Sequence, residues 1–98
     1  MSKFEKYLME SFLELRKEVG IIVDIADLRE RVAMKLLDNE KEILTENQFD
    51  DRLREIPLAT NEYIISLGRS MGAEEKLFSY KGKYYRTLSI EFAGGKQG

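Results

Sequence analysis

The chain contains no cysteine, no histidine and no tryptophan, and a single proline among its 98 residues. Without cysteine there is no disulfide framework and no thiol chemistry. Without histidine as well, the commonest transition-metal ligands and the usual neutral-pH proton carrier are both missing. A serine–histidine or cysteine–histidine nucleophile pair therefore cannot be assembled. The stretch Gly68-Arg69-Ser70-Met71-Gly72 contains glycine but lacks the Lys-Ser/Thr of a phosphate loop, and it reads as an ordinary loop. The carboxylate pairs Glu14/Glu18, Asp50/Asp51 and Glu74/Glu75 read as solvated surface. These absences predict a protein that is not an enzyme and that uses no cofactor, no metal and no small-molecule substrate. No apolar run approaches the ~20 residues of a membrane span, and the N-terminal segment is too charged for a secretory signal. The expectation is a cytoplasmic location and no membrane partner.

The composition that remains is that of a soluble globular domain: 43% of residues are apolar and 35% are charged. The length suits one domain, expected over residues 1–92, with the glycine-containing segment 93–98 as a flexible tail. The net charge of −2 hides an asymmetry. Residues 1–20 are neutral, residues 21–62 carry a net −5 and residues 63–98 a net +3. An anionic partner is expected to meet the C-terminal third.

The apolar period is 3.6 in the first half of the chain and 2 in the second. Ser2 and Glu5 have capping-box spacing, and Phe4, Tyr7, Leu8, Phe12, Leu15 and Val19 form one stripe, so the pattern predicts a helix over 2–19 closed by Gly20. Ile21-Ile22-Val23 is β-branched and predicts a short strand. Asp24 suits the N-cap of a second helix over 25–37, with Ile25, Leu28, Val32 and Leu36 inward. Asp38 to Glu42 is a polar link. Thr45 and Gln48 repeat the capping-box spacing, and Leu44 and Phe49 stand at hydrophobic-staple positions, so a third helix is predicted over 45–56 and ended by Pro57. Beyond it, 63–67, 77–80 and 84–92 read as strands, with Gly68 to Lys76 a loop and Lys81-Gly82 a tight turn.

This order of elements resembles the winged helix-turn-helix family over residues 2–92. The residues that carry the resemblance are Ile21-Ile22-Val23 as the first strand, Asp24 to Leu37 and Thr45 to Ile56 as the two helix-turn-helix helices, and Tyr63 to Leu67 with Tyr84 to Phe92 as the wing strands. It implies an α+β fold, a three-helix core with a small antiparallel sheet. It also implies that the third helix lies in a DNA major groove while the wing meets phosphates or the minor groove. The link 38–44 and the wing 68–87 are both longer than that pattern has.

Two segments carry candidate chemistry. On the third helix Asn47 and Gln48 suit adenine edges and Arg54 suits guanine or phosphate. Asp50 and Asp51, placed outward by the same helical angles, oppose a polyanion. In the wing, Tyr80-Lys81-Gly82-Lys83-Tyr84-Tyr85-Arg86 puts three cations and three tyrosines around one turn, with Arg69 and Lys76 near in sequence. Lys81, Lys83, Arg86 and Arg69 suit phosphates, and Tyr84 suits phosphate or base stacking. Strand alternation puts Tyr84 and Arg86 on the face of Leu88, and Tyr85 with Thr87 on the other. Met9 and Leu13 fall off the core stripe of the first helix and mark a candidate self-association or partner surface, and Met34 is outward on the second. The expected function is binding of double-stranded DNA, as a small transcriptional regulator or a DNA-associated accessory domain and as a possible homodimer. The rival is a protein-interaction module of the same fold that binds no nucleic acid.

Overall fold

Ser2 and Thr45 start their helices by the same device. Each hydroxyl accepts from the backbone N–H three residues on, and the Glu5 or Gln48 side chain accepts from the backbone N–H of the cap residue. In the computed structural model, which describes residues 2–69 and 77–93, these caps open helices α1 (Lys3–Val19) and α3 (Glu46–Glu55). The staple residues Leu44 and Phe49 are both buried. Helix α2 spans Ile25–Glu40, three residues beyond the expected end, and closes on Lys41 in the left-handed conformation at φ 56°. The extra turn has a tertiary cause: Glu40 accepts from Tyr7 Oη at 2.7 Å and from Lys3 Nζ at 2.9 Å, both on α1.

The strands are β1 (Val23–Asp24), β2 (Tyr63–Arg69), β3 (Phe78–Tyr80) and β4 (Lys83–Phe92). All pair antiparallel with β4. Leu88 is opposite both Val23 and Leu67, and Tyr85 is opposite both Phe78 and Arg69. A strand residue has one neighbour on each side. β1 and β3 therefore lie end to end along one edge of β4, and β2 occupies the other. Among the described residues the fold is α+β, with three helices and a small four-stranded antiparallel sheet.

Several sequence expectations are corrected. Only Val23 of the expected strand 21–23 joins the sheet, and Ile21 and Ile22 are exposed, because the β1 ladder stops at Leu88. Gly68 and Arg69 belong to β2 and not to a loop; the rest of that loop, with Lys76, lies outside the described residues, as does the tail from residue 94. Asp24 caps α2 without a side-chain hydrogen bond. Met9 is buried. At 100° per residue the buried arc of α1 runs about 200° from Tyr7 to Met9, because α1 packs on α2 and also on the sheet, with the Phe12 ring 6.5 Å from that of Phe92. Met9 is therefore core, and Leu13 alone of that pair reaches the surface.

The core gathers Leu8, Phe12, Ile25, Leu28, Leu36, Phe49, Leu53, Phe78 and Leu88 between the helices and the inner face of the sheet. Two tyrosines anchor its rim. Tyr7 Oη donates to Glu40 and Tyr63 Oη donates to Glu5 at 3.0 Å. The hydrogen bond to the Glu40 carboxylate, aided by burial, pushes the Tyr7 phenol up to about 12. Burial, aided by Glu5, pushes Tyr63 up to about 12. A raised native pKa means that both phenols stabilise the fold fully below pH 10 and lose that contribution as pH climbs towards 12. Their partners shift the opposite way. Glu5 is lowered by the Ser2 backbone and Glu40 by the Tyr7 hydroxyl, so their contribution is present above the ordinary value of 4.5 and fades as pH falls below it. Spectrophotometric titration is expected to show two of the five tyrosines ionising only near pH 12 while circular dichroism remains native. Tyr7→Phe and Tyr63→Phe each remove one late step. Complete ionisation of the folded protein by pH 11 would contradict these contacts.

Candidate nucleic-acid interface

The basic hairpin is built on an unusual turn. Lys81 and Gly82 both have positive φ, 50° and 81°, which a two-residue β-hairpin of type I′ requires at both positions. Glycine adopts this conformation freely, but lysine at the first position is unfavourable compared with asparagine. The Lys81 Nζ lies 5.5 Å from the Tyr80 ring centroid. Lys81→Asn is expected to stabilise the domain by about 1 kcal/mol, read from urea unfolding; an unchanged or lower midpoint would show that the turn is not strained by its lysine.

Five residues further along β4 the register slips. Gly68 faces Thr87 but Arg69 faces Tyr85, so Arg86 is the extra residue of a β-bulge. The slip exchanges the faces expected from strict alternation. Tyr85 is half-buried and packs on the core, whereas Tyr84 and Arg86 are exposed. Gly68 leaves room at this point: a Cβ there would stand 2.1 Å from Thr87 Oγ1.

Arg69, Lys81, Lys83 and Arg86 thus stand exposed with Tyr84 around one end of the sheet. Arg69, Lys81 and Lys83 pair with no carboxylate among the described residues, and Arg86 reaches Asp24 only at 3.8 Å. The body of the molecule is different. Lys3 pairs with Glu40, Arg31 with Glu14 and Glu18, Lys35 with Glu14, Arg52 with Glu42, and Arg54 with Asp51. The remaining body cations without an ion pair (Lys6, Arg16, Lys17 and Lys41) are scattered over α1 and the end of α2.

Helix α3 presents less than its sequence promised. Asn47 is exposed on the first turn with its amide uncommitted to the described residues. Gln48 Oε1 is occupied by the Thr45 N–H at 2.9 Å. Arg54 donates to Ser79 O at 2.8 Å, to Ser79 Oγ at 2.9 Å and to Asp51 at 2.9 Å, with its guanidinium 5.3 Å from the Phe78 ring centroid. It is a strut from α3 to β3, with its donors engaged. Asp50 is not outward. At 100° from Phe49 it turns under the helix and meets Arg29 of α2. Arg29 Nε donates to Asp50 Oδ1 at 2.9 Å, and Nη2 donates to Oδ2 and to the Leu77 carbonyl, each at 3.1 Å. The two residues are 5% and 9% exposed, so this is a buried, bidentate pair. The objection that Asp50 repels phosphate is therefore removed. Glu46, Asp51 and Glu55 still leave the exposed face of α3 acidic. Nothing in the local pattern of α2 assigns Arg29 a partner. One signal for it existed, a lone cation inside an apolar arc facing a helix with adjacent aspartates.

No group of three or more acidic side chains among the described residues is placed to hold a metal ion, and no helix of the described residues is long and apolar enough to cross a membrane. Comparison with family models, curated proteins and solved structures finds no match to the chain.

Proposed function

We propose that this chain is a winged-helix protein that binds double-stranded DNA, as a small regulator or an accessory domain, and that its β3–β4 hairpin is the wing that grips phosphates. The observation that carries the reading is where the unneutralised cations lie. Most cations of the body are matched to carboxylates, while Arg69, Lys81, Lys83 and Arg86 stand around the hairpin end of the sheet with at most one distant partner among the described residues. The unpaired body cations Lys6, Arg16, Lys17 and Lys41 are spread over α1 and the end of α2, whereas those of the hairpin stand together at one end of the sheet, where free lysines and arginines release counterions on meeting phosphates. Tyr84, exposed among them, adds a phosphate donor or a stacking face. Helix α3 contributes Asn47 at most, so binding is dominated by backbone contacts and discriminates weakly between sequences.

The test is a fluorescence-anisotropy titration of a mixed-sequence duplex at several salt concentrations, with a Lys81→Ala/Lys83→Ala/Arg86→Ala variant in parallel. Salt-sensitive binding that the variant loses supports the reading. Absence of binding at low salt overturns it in favour of a protein-interaction module. The acidic exposed face of α3 is the observation that favours that second reading.

A further inference from the structure

The chain has ten aromatic residues, five phenylalanines and five tyrosines. The phenylalanines and Tyr7, Tyr63, Tyr80 and Tyr85 all lie in the core or pack against it. Tyr84 is the exception. It is 61% exposed, and among the described residues its ring makes no aromatic contact and its hydroxyl no hydrogen bond. The register settles which way it faces. Tyr84 pairs with Ser79, next to the Phe78–Tyr85 pair. Phe78 and Tyr85 turn to the core, so Ser79 and Tyr84 turn to the outer face of the sheet. Leu88 and Ile90 are core residues as well, so Thr87 and Ser89 share that outer face, opposite Gly68 and Ser66. The neighbouring positions are thus small. Arg86 stands at the bulge between them and reaches towards Asp24 of β1 at 3.8 Å.

An uncovered aromatic ring on a polar face, among cations, suits the flat face of a nucleobase. Lys83 directly precedes Tyr84 and Arg86 lies two residues on, so a nucleotide stacked there keeps its phosphates beside cations. Magnitudes decide which base the ring takes. Stacking one base on an aromatic side chain is worth about fivefold to a hundredfold in affinity. Prising apart two stacked base pairs of a continuous duplex to admit the ring costs about as much. Within a duplex the two effects cancel. An unpaired base beside the duplex already has a free face, and there the gain is kept.

We propose that Tyr84 stacks on an unpaired base where duplex DNA gives way to single strand, so that the preferred ligand is a duplex with a single-stranded overhang. The inference rests on the reading of the hairpin as a phosphate grip, and it assigns the ring a task that the cations do not perform. Lys81, Lys83, Arg86 and Arg69 hold the backbone wherever it runs, and Tyr84 selects the junction.

Two fluorescent probes test it, one duplex carrying either a short thymidine overhang or an overhang of the same length made of abasic nucleotides. The abasic overhang has the same phosphates and nothing to stack. At low salt the parent protein is expected to bind the thymidine probe at least about fivefold more tightly than the abasic one. Tyr84→Phe keeps that difference, because the ring stacks and the hydroxyl is not needed. Tyr84→Ala binds both probes equally, with its affinity for the abasic probe and its salt slope unchanged. Tyr84 is exposed, so neither substitution removes a core contact. Equal binding of the two probes by the parent overturns the proposal and leaves the phosphate grip standing. A preference that survives Tyr84→Ala, or one that Tyr84→Phe abolishes, overturns it too, the latter by making the hydroxyl the reader. Binding of neither probe overturns the nucleic-acid reading on which the proposal rests.

Discussion

Replacing Asp50 with alanine is expected to destabilise the domain by about 3–5 kcal/mol. The carboxylate and the Arg29 guanidinium are both buried, and two parallel N–H···O bonds hold them at 2.9 and 3.1 Å. Removing Asp50 takes the bidentate carboxylate from a guanidinium whose side chain is only 6% exposed. The pair joins α2 to α3 inside the core, and through Leu77 it also fixes the start of β3. A domain of this size shifts its melting midpoint by roughly 4–8 °C per kcal/mol. Asp50→Ala should therefore melt at least ~12 °C lower, or fail to fold if its total stability lies near the low end of the usual 5–15 kcal/mol. Asp50→Asn keeps the shape but loses the charge and should fall between. Replacing the pair by apolar residues, Arg29→Met with Asp50→Leu, should recover most of the loss, because no buried charge remains. Urea unfolding of the four proteins decides the matter. A cost below about 1 kcal/mol for Asp50→Ala would mean that the pair is hydrated and does not clamp the helices.

The same pair shows where the sequence stopped being informative. Local signals were strong: Ser2 with Glu5, Thr45 with Gln48 and the Leu44–Phe49 staple each concern residues close in the chain, and each placed a helix start correctly. What failed depended on residues far apart. The angles on α3 gave Asp50 a direction but not the cation waiting on α2. The last turn of α2 depends on Tyr7 and Lys3. Met9 lies off the α1 stripe, yet tertiary packing buries it. The bulge at Arg86 depends on Gly68 opposite Thr87, and a one-residue slip exchanges faces, so Tyr84 and Tyr85 traded the roles that alternation assigns. Ile21 and Ile22 have every β-propensity, but the ladder ends before them. In the site, the exposed hairpin cations were legible because a cluster of charge around a Lys-Gly turn has nowhere to be buried. The engagement of Gln48 follows from the same capping box that starts α3, whereas that of Arg54 was not legible, since it required knowing that β3 lies against α3.

The hairpin variant Lys81→Ala/Lys83→Ala/Arg86→Ala is expected to bind duplex DNA at least about a hundredfold more weakly at low salt than the parent. Four cations on phosphates give a slope of log affinity against log salt of about −3 to −4, at roughly −0.9 per neutralised phosphate. The variant retains only Arg69 of the four, so its slope should fall to about −1. The slope matters more than the affinity, because misfolding lowers affinity without this proportional change. Lys6→Ala/Lys17→Ala removes two exposed cations from α1 and should leave the slope unchanged, which separates the hairpin from overall charge. Lys81→Asn gives a sharper separation. It removes one cation while relieving a left-handed lysine, so it should raise stability and reduce the slope by about 1 in the same protein. A protein that keeps a lysine where asparagine folds better is consistent with a binding role at the turn. Equal slopes for the parent and the triple variant would place the phosphate contacts elsewhere and leave the hairpin a structural element.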